Sequence, residues 1–582
     1  MPVSTAAEVA GKSFDFVVVG GGTAGLAVAA RISENPDVSV LVLEAGAANF
    51  DHPLITKSSQ HAVQFGNPDL DWGFQTIPQK HGLDMIYYWN RGKSLGGSST
   101  INFQCWTHPS KNDIDNWEKL GNPGWNWDMY EKYVDRVYRV DPAPRSQVEG
   151  WKIWDITKSS GSGIPKAPNP YHGNPNGVSV KLSTFDPQTF HRCDSATAYL
   201  RPNLQRPNLT VVTSALVHKL VLDQSSTPVK ATGVEFSNGN INEPFVVNIQ
   251  REVVICSGAL KSSQILELSG IGRRDVLREI GVPVKVELPG VGENVQEHQV
   301  ISIAFELKAD SIDDTWDIFR DEAGYILQGE LLAQGKGSHT VGISNLTYTP
   351  LSTFTGMERA KELYSAQKAR IEEDMKAANV VPGLADQYKL MLESLNPEKD
   401  IPSVEICGYP GYISFPKGPE KDKKYYSICM MSNHNFGRGT IHATSSDPSV
   451  QPAMDPHYFE HDYDTQSLVE GVRFARKIAE TEPFKHAIDH EHSPGPEVQT
   501  QEQLEEWIKK GSTTVFHTIG SCSMLPLDKN GVVDTNLKVY GTANVRVADL
   551  SIVPLHIAAH TQATAYTIGE RAADIIRETL KN

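Results

Sequence analysis

The sequence predicts an α/β protein in which a Rossmann-like domain, built on a parallel sheet, is followed by a second domain. Three observations lead to this fold class. The chain has 582 residues, more than a single hydrophobic core usually serves. An apolar run at residues 16–19 is typical of a buried parallel strand. That run ends in Gly20-Gly21-Gly22-Thr23-Ala24-Gly25, which fits the G-x-G-x-x-G spacing of a turn between a strand and a helix.

The glycine-rich turn predicts a site for a pyrophosphate. Gly20 allows the tight turn, Gly22 lets the main chain approach the phosphates, and Gly25 lets the following helix pack on the strand. We expect that helix over residues 24–33. Its positive N-terminus and free N–H groups would then face the phosphates.

A second predicted strand, residues 38–43, ends in an acidic residue. Glu44 lies 19 residues beyond Gly25, which suits a carboxylate that binds a ribose hydroxyl. Strand, turn, helix, strand and acid together indicate a dinucleotide site much more strongly than the turn alone. The pattern permits NAD, NADP or FAD, so the particular dinucleotide stays open at this point.

Composition excludes several classes of protein. The net charge of −16 argues against a nucleic-acid partner, which would require a basic surface. No apolar run approaches the roughly 20 residues needed to span a bilayer. The first residues show neither a basic start nor an apolar stretch, and the last three are not a peroxisomal Ser-Lys-Leu signal. We therefore expect a cytoplasmic protein without a membrane partner.

The cysteines and most histidines do not predict a metal site. The six cysteines contain no C-x-x-C pair, so we expect free, buried thiols. His486, His490 and His492 resemble metal-ligand spacing, as do His457 and His461 four residues apart. Because no supporting carboxylate or cysteine pattern accompanies them, we expect all five at the surface and no bound metal.

Beyond the second strand the chain alternates between loops and regular elements. Residues 47–192 are rich in Gly, Pro, Trp and Tyr, and their aromatic side chains need burial, so this segment is expected to wrap a cofactor or a domain interface. Strand patterns are found at residues 209–212, 217–222, 232–236, 246–255, 300–307 and 425–431. Residues 357–400 are predicted to be helical with a break at Pro382-Gly383, and the chain ends in an amphipathic helix.

Two further motifs are more specific. One is Gly92-Lys93-Ser94-Leu95-Gly96-Gly97-Ser98-Ser99-Thr100-Ile101-Asn102, and the other runs from Gly258 to Gly272. Glycines in the first motif permit main-chain N–H groups to face a ligand that side chains would exclude. Both motifs resemble the signature patterns of the glucose–methanol–choline (GMC) oxidoreductases. Together with the histidine pair and Phe516 described below, they make the chain resemble fungal aryl-alcohol oxidase-like members most.

The resemblance implies FAD as the cofactor and places its parts along the chain. It puts the diphosphate over the glycine-rich turn, the adenosine ribose at Glu44 and the adenine near the main chain of Val217. Some relatives attach FAD covalently to a histidine before the asparagine of the first signature, where this chain has Ile101, so FAD is expected to be noncovalent. The expected cofactor-binding residues are Gly20, Gly22, Thr23, Ala24, Gly25, Glu44, Gly92, Ser94, Gly97, Asn102, Val217, Asp549 and Gln562.

The resemblance also supplies a catalytic pair near the C-terminus. His517 begins His-Thr-Ile-Gly-Ser-Cys-Ser-Met, which is similar to a segment of the family, and His560 lies where the family has its second active-site residue. An imidazole titrates near neutral pH, so His517 suits a general base that takes the hydroxyl proton of an alcohol while hydride passes to flavin N5. His560, near a helix N-terminus that disfavours its cation, would hydrogen-bond the substrate oxygen. Phe516 is expected to line the substrate cavity or to pack against the core.

The family pattern predicts the domain organisation and leaves several activities open. The FAD domain is expected over residues 14–299 and 514–582, and a substrate domain with an antiparallel sheet flanked by helices over 300–513. The leading interpretation is oxidation of a primary, aromatic or allylic alcohol, with O2 or a quinone as acceptor. Sugar oxidation, a redox-silent hydroxynitrile lyase and a photodecarboxylase are the alternatives. His560 argues against formate oxidation, for which arginine is expected at that position.

Overall fold

The computed structural model describes residues 3–57, 61–140, 164–311, 315–343, 345–377 and 380–581. The strands of its two large sheets, in chain order, are β1 (Ser13–Val19), β2 (Val40–Leu43), β3 (Gly177–Val180), β4 (Leu209–Val212), β5 (Leu216–Asp223), β6 (Lys230–Ser237), β7 (Phe245–Ile255), β8 (Gln299–Leu307), β9 (Asn345–Thr349), β10 (Val404–Tyr409), β11 (Tyr425–Ser432), β12 (Ile488–Ser493), β13 (Thr513–Thr514) and β14 (Val545–Val547).

The first sheet confirms the predicted Rossmann-like architecture. Its strand order is β4-β2-β1-β7-β6-β5, and β14 also pairs with β7. Strands β4, β2, β1, β7 and β14 run parallel, whereas β6 and β5 form an antiparallel extension. Residues 16–19 of β1 and all of β2 are buried, as expected for parallel strands that are covered on both faces.

Two helices pack together over this sheet. The fingerprint helix, Thr23–Ile32, follows the glycine-rich turn, and the C-terminal helix, Gln562–Thr579, ends the fold. A Cβ at Gly569 would lie 2.6 Å from the carbonyl oxygen of Ala24, so glycine is what lets the two helices approach this closely. This contact joins the end of the chain to its beginning.

The second sheet is antiparallel, as predicted, with strand order β12-β8-β11-β10-β9-β3, and β13 also pairs with β8. It includes β3, which lies outside residues 300–513, so the second sheet combines two separate parts of the chain. The proposed domain boundaries remain a prediction. Among the described residues of the segment 47–192, Trp89, Trp117 and Trp125 are buried, as expected, whereas Tyr88 is 61% exposed.

The remaining elements are short strand pairs and helices. The pairs are Phe74–Gln75 with Tyr88–Trp89, Cys105–Trp106 with Leu182–Ser183, Ile271–Gly272 with Val286–Glu287, and Thr440–His442 with Ala453–Asp455. The other α-helices of the described ranges are Ala6–Val9, Pro53–Thr56, Lys111–Lys119, Trp127–Val134, Ser262–Leu268, Arg274–Glu279, Glu322–Leu332, Ser352–Thr355, Met357–Asp374, Leu384–Leu395, Asp462–Ala479, Phe484–Ala487 and Gln501–Gly511. Among the described residues, no helix has the length and hydrophobicity of a membrane span.

The structure corrects the expectation for two histidines and confirms the expectation for the thiols. His461 and His492 are buried, not at the surface. His461 directly precedes a long helix, where its ring bonds the amide of Gln367 at 3.0 Å and packs against Phe436, so burial leaves it partnered. All six cysteines are free, and every one except Cys193 is buried.

Candidate active site

A cavity of about 810 Å³ is lined by both sheets. Residues at the C-terminal ends of β1, β2 and β7 form one part of its wall, and residues of β8, β10 and β11 form another. Ligands of open α/β sheets bind at the C-terminal ends of the strands, so its position is that of a ligand site. The predicted site residues that line it are Gly20, Gly22, Thr23, Ala24, Glu44, Gly92, Gly97, Asn102, Val217, Phe516, His517, Asp549, His560 and Gln562.

Glycines at the turn create space at the cavity wall. Gly20 has φ +106°, and a Cβ there would lie 2.5 Å from the carbonyl oxygen of Cys256. Gly97 (φ +53°) approaches Gly22 so closely that a Cβ on Gly97 would be 2.7 Å from the Cα of Gly22. A Cβ on Gly22 itself would meet nothing closer than 3.7 Å. Gly22 is therefore the position at which the main chain faces open space.

Two predicted cofactor-binding residues do not line the cavity. A Cβ on Gly25 would lie 2.1 Å from the carbonyl oxygen of Gly20, so this glycine serves the packing of helix on strand. The hydroxyl of Ser94 is fully buried, 3.2 Å from the hydroxyl of Thr100. Both residues shape the turn behind the wall.

Glu44 is held by main-chain N–H groups at the end of β2. Its two carboxylate oxygens accept hydrogen bonds from Gly21 and Gly46, each at 2.8 Å. Burial raises the pKa of Glu44 to about 7, because the two N–H groups and Lys93 only partly offset the loss of hydration. Each carboxylate oxygen can accept more than one hydrogen bond, so the side chain can still receive a ribose hydroxyl.

The polar groups of the cavity fit a dinucleotide. The fingerprint helix and the C-terminal helix both begin at the cavity, and their N-cap residues, Gly22 and Thr561, make no side-chain capping bond. Uncapped N-termini are suited to bind phosphate oxygens. Gln562 lines the same cavity, and both polar atoms of its buried amide lack a hydrogen-bond partner among the described residues. A buried amide without partners is costly unless a ligand supplies them.

Asp549 and Asn102 already have protein partners. Asp549 accepts bonds from the N–H groups of Gly258 and Ser551, at 2.9 and 2.8 Å, and from the hydroxyl of Ser262 at 2.6 Å. It thereby fixes the start of the second signature motif against the cavity. Asn102 Oδ1 accepts from Arg192 Nη1 at 2.7 Å, which holds the end of the first motif.

The two predicted catalytic histidines lie side by side. Their ring centroids are 4.7 Å apart and the planes are nearly perpendicular, at 81°. The main-chain N–H of His517 donates to Glu297 Oε1 at 2.7 Å, and that of His560 donates to Thr107 Oγ1 at 2.8 Å. Both imidazoles are therefore positioned through their backbones, although 43 residues separate them in the chain.

Each of these histidines has a different ring partner. His560 Nε2 lies 2.8 Å from Glu405 Oε1, and Glu405 is completely buried in β10. His517 Nδ1 lies 2.9 Å from Nδ1 of His298, whose ring stacks on His556 with centroids 3.6 Å apart. One imidazole is thus paired with a carboxylate and the other with a second imidazole.

The surroundings of His517 keep its ring neutral. Burial lowers the pKa of His517 well below its usual range, and the nearby His560, His556 and Arg91 lower it further. Burial likewise lowers the pKa of His298 well below its usual range. A neutral imidazole retains the lone pair that a base requires.

Sequence reasoning misses Glu405, His298 and His556. For Glu405 a signal exists, because a single acid interrupts the apolar pattern of strand β10, and a buried carboxylate requires a partner. His298 directly precedes β8, outside any recognisable motif, and contacts His517 only through the fold. No sequence signal identifies this contact.

Aromatic side chains and thiols line another part of the cavity. Phe516, whose φ is +64°, meets Phe65 edge to face with ring centroids 5.0 Å apart, so the prediction that Phe516 faces the cavity agrees with its position. The other apolar or weakly polar side chains here are Ile101, Phe103, Cys105, Val300, Ile343, Cys407, Tyr409, Ile413, Cys429 and Met431. This wall has few groups that could bind the hydroxyls of a polar ligand.

Comparison with known proteins places the chain in a family. Models of the GMC oxidoreductase family match residues 14–300 and 436–569. A GMC oxidoreductase family protein of Malassezia sympodialis, Mala s 12, is 33% identical, and the alignment covers 98% of this chain and 93% of the relative.

Two solved structures are similar over nearly their whole length. An FAD-dependent oxidoreductase from Chaetomium thermophilum has a TM-score of 0.86 and 25% identity, covering 98% of this chain and 100% of the other. A fungal aryl-alcohol oxidase has a TM-score of 0.84 and 26% identity, covering 98% and 99%. The fold, the two matched family models and the polar groups of the cavity agree: the chain belongs to the GMC oxidoreductase family, and this membership implies FAD as cofactor.

Proposed function

We propose that this protein oxidises a primary aromatic or allylic alcohol to the aldehyde, with noncovalent FAD as cofactor and O2 or a quinone as electron acceptor. The observation that carries the proposal is the neutral His517 beside His560 in one cavity with an aromatic wall. Similarity to a fungal aryl-alcohol oxidase supports the same substrate class.

The residues would hold the bound cofactor at its two ends. The N-terminus of the fingerprint helix and Gly22 would face the diphosphate, Glu44 the ribose, and Gln562 the flavin. FAD, when bound, supplies the acceptor for the hydride that leaves the alcohol carbon. Ile101 stands where a histidine would make a covalent link, which supports noncovalent FAD. Acid denaturation is expected to release the yellow chromophore, and its retention in the protein pellet would refute this part.

The histidines would handle the hydroxyl proton. When His517 donates its Nδ1–H to His298, its Nε2 keeps the lone pair and can take the proton of the substrate hydroxyl. His560 donates its Nε2–H to Glu405, which fixes the orientation of the ring. In these tautomers His517 Nε2 and His560 Nδ1 both keep a lone pair, so His517 Nε2 would take the hydroxyl proton, while His560 Nδ1 could only accept a hydrogen bond.

The wall of the cavity favours an unsaturated, weakly polar alcohol. Phe65, Phe103 and Tyr409 can pack against an aromatic ring or an allylic chain. A sugar would bring several hydroxyls against this apolar wall, and each hydroxyl without a partner would cost binding free energy. We therefore place sugar oxidation second.

The test is anaerobic bleaching of the flavin by a panel of alcohols. Benzylic and allylic primary alcohols are expected to bleach the flavin absorbance, and glucose to do so at least tenfold more slowly. Readmission of O2 or addition of benzoquinone then identifies the electron acceptor by the rate of reoxidation. Cyanohydrin cleavage without any bleaching would instead support a lyase and would overturn the proposal.

A further inference from the structure

A cluster far along the second sheet, outside the proposed catalytic machinery, brings together the carboxylate and imidazole groups that a metal ion requires. The two carboxylates next to His490 and His492 in sequence, Asp489 and Glu491, contact His490 Nδ1 and Arg476, so a carboxylate ligand has to come from another strand. The sheet supplies one, because Glu306 of β8 pairs with His490 of β12. One ligand atom from each of Glu306, His490 and His492 lies within 4.8 Å of the others, and this is the only such group found among the described residues.

A β-bulge directs His492 into this cluster. The ladder pairs Phe305 with Glu491 and then Ala304 with Ser493, so His492 is the additional residue between two pairs. Bulges commonly redirect one side chain of a strand. Here the redirected imidazole is 1% exposed, although the strand lies at the edge of the sheet.

Hydrogen bonds leave a lone pair on each imidazole. His492 Nε2 lies 3.0 Å from the carbonyl oxygen of Gly418, which can only accept, so Nε2 carries the hydrogen and Nδ1 carries the lone pair. That buried Nδ1 has no hydrogen-bond partner among the described residues. His490 Nδ1 lies 2.8 Å from Asp489 Oδ2, which leaves its Nε2 as the acceptor. A carbonyl or carboxylate on the second nitrogen is the usual outer partner of a metal-bound histidine.

Charge at the cluster also suits a cation. Glu306 is almost buried and forms an ion pair with Lys423, whose half-exposed ammonium sits on a flexible chain and can move into solvent. Glu420 Oε1 lies 3.9 Å from His492 Nδ1, close enough to serve as a fourth ligand or to bind a metal-bound water. Tetrahedral zinc ligands lie roughly 3.3 Å apart, given metal–ligand distances of about 2.0–2.1 Å, so small rotations of the exposed His490 would close the site.

We propose that Glu306, His490 and His492 bind one divalent transition-metal ion of the zinc class, which ties edge strand β12 to β8. Two imidazoles and one carboxylate form a ligand set that zinc accepts with a water or a further carboxylate in the fourth position. Val300 and Ser302 of β8 line the cavity. An ion bound to Glu306 of the same strand would therefore stabilise the part of the sheet that forms the cavity wall.

The test is titration of the FAD-loaded, full-length protein with zinc chloride after removal of bound metals, with any affinity tag cleaved. Calorimetry is expected to show one equivalent bound and a rise in the thermal midpoint. His490→Ala, at a half-exposed position, should weaken binding at least about tenfold. His486→Ala is the matched control, since His486 is exposed and pairs with Glu482 away from the cluster.

A second variant controls for indirect effects that the removal of a ligand could have on zinc binding. Lys423→Met removes the cation that competes for Glu306, so it should tighten zinc binding without altering a ligand. Absence of an equivalent in the wild type, equal binding by His490→Ala and wild type, or an unchanged affinity in Lys423→Met would each overturn the proposal.

Discussion

The glycine end and the histidine end of the cavity are built in different ways. At the glycine end, Gly20, Gly22 and Gly97 bring main chain to the cavity wall, and the distance from a Cβ to the nearest atom decides what each position tolerates: only Gly22 has room for one. At the histidine end, His517 and His560 offer side chains whose ring partners, His298 and Glu405, come from distant parts of the chain, and the position of a proton decides the chemistry. The glycine end is therefore suited to close approach of a ligand, and the histidine end to proton transfer.

This difference predicts how each end of the cavity should respond to substitution. A methyl group added at Gly22, where a Cβ fits, should reduce cofactor binding without affecting proton transfer. Removal of an imidazole should reduce the rate without affecting cofactor binding. The predictions below test this separation, beginning with the largest effect.

The largest effect is expected for His517→Ala. Loss of a positioned general base typically costs about 10²–10⁴-fold in rate, and we expect anaerobic flavin reduction by an alcohol to slow by roughly 10³-fold. FAD content should remain at the wild-type level, because the ring of His517 bonds to His298 and lies away from the glycine-rich turn. Stopped-flow flavin absorbance measures the rate, and the flavin-to-protein absorbance ratio measures the content.

His486→Ala serves as a control for histidine removal, since its exposed ring pairs with Glu482 and is not part of the cavity lining. It should leave the reduction rate unchanged. If His517→Ala reduced flavin at the wild-type rate, His517 would have no place in the mechanism. If it lost FAD as well, the two ends would not be separable.

A paired substitution at the glycine end comes next. A Cβ on Gly22 has no neighbour closer than 3.7 Å, so Gly22→Ala should fold, yet it would place a methyl group where a phosphate oxygen approaches. Loss of one charge-assisted hydrogen bond is worth about 1.5–3 kcal/mol, so FAD should bind roughly 10–100-fold more weakly. Gly25→Ala would put its Cβ 2.1 Å from the carbonyl oxygen of Gly20 and should instead prevent folding.

Thermal unfolding of the FAD-free variants and flavin fluorescence titration distinguish the two outcomes. Equal FAD affinity in wild type and Gly22→Ala would place the phosphates elsewhere. Folded, FAD-binding Gly25→Ala would remove the packing role that the sequence assigns to this glycine.

The sequence predicts the glycine end well because its signal is local. The turn Gly20–Gly25 and Glu44 follow from spacing along two strands and one helix, and the parallel register of β1 and β2 brings the ends of both strands to one edge of the sheet. The partners at the histidine end follow from tertiary structure: Glu405 reaches His560 from β10, and its bond depends on how two sheets meet.

The buried His492 illustrates the same limit at a finer scale. Strand β12 contains His490, Glu491 and His492, polar residues whose sequence predicts positions at the surface. A bulge in the ladder turns one imidazole inward, and that shift depends on the register of β8, which lies 180 residues earlier in the chain. The sequence therefore shows which residues are neighbours along the chain, whereas the register of paired strands determines which of them contact each other in the fold.

The smallest expected effect is a pH dependence at the glycine end. In the FAD-free protein burial raises the pKa of Glu44 to about 7, above its ordinary value of 4.5, so the contribution of this group to stability is lost as pH rises through 7. A ribose hydroxyl that donates to Glu44 would favour the carboxylate and lower this pKa, so FAD binding should release a proton. FAD affinity should therefore increase severalfold between pH 6 and 8, within the limit of about tenfold per pH unit for one proton.

Fluorescence titration at the two pH values checks this, and Glu44→Gln, which keeps the shape of the side chain, should abolish the difference. An unchanged affinity in the wild type, or an equal pH dependence in Glu44→Gln, would show that the ribose hydroxyl does not bind Glu44.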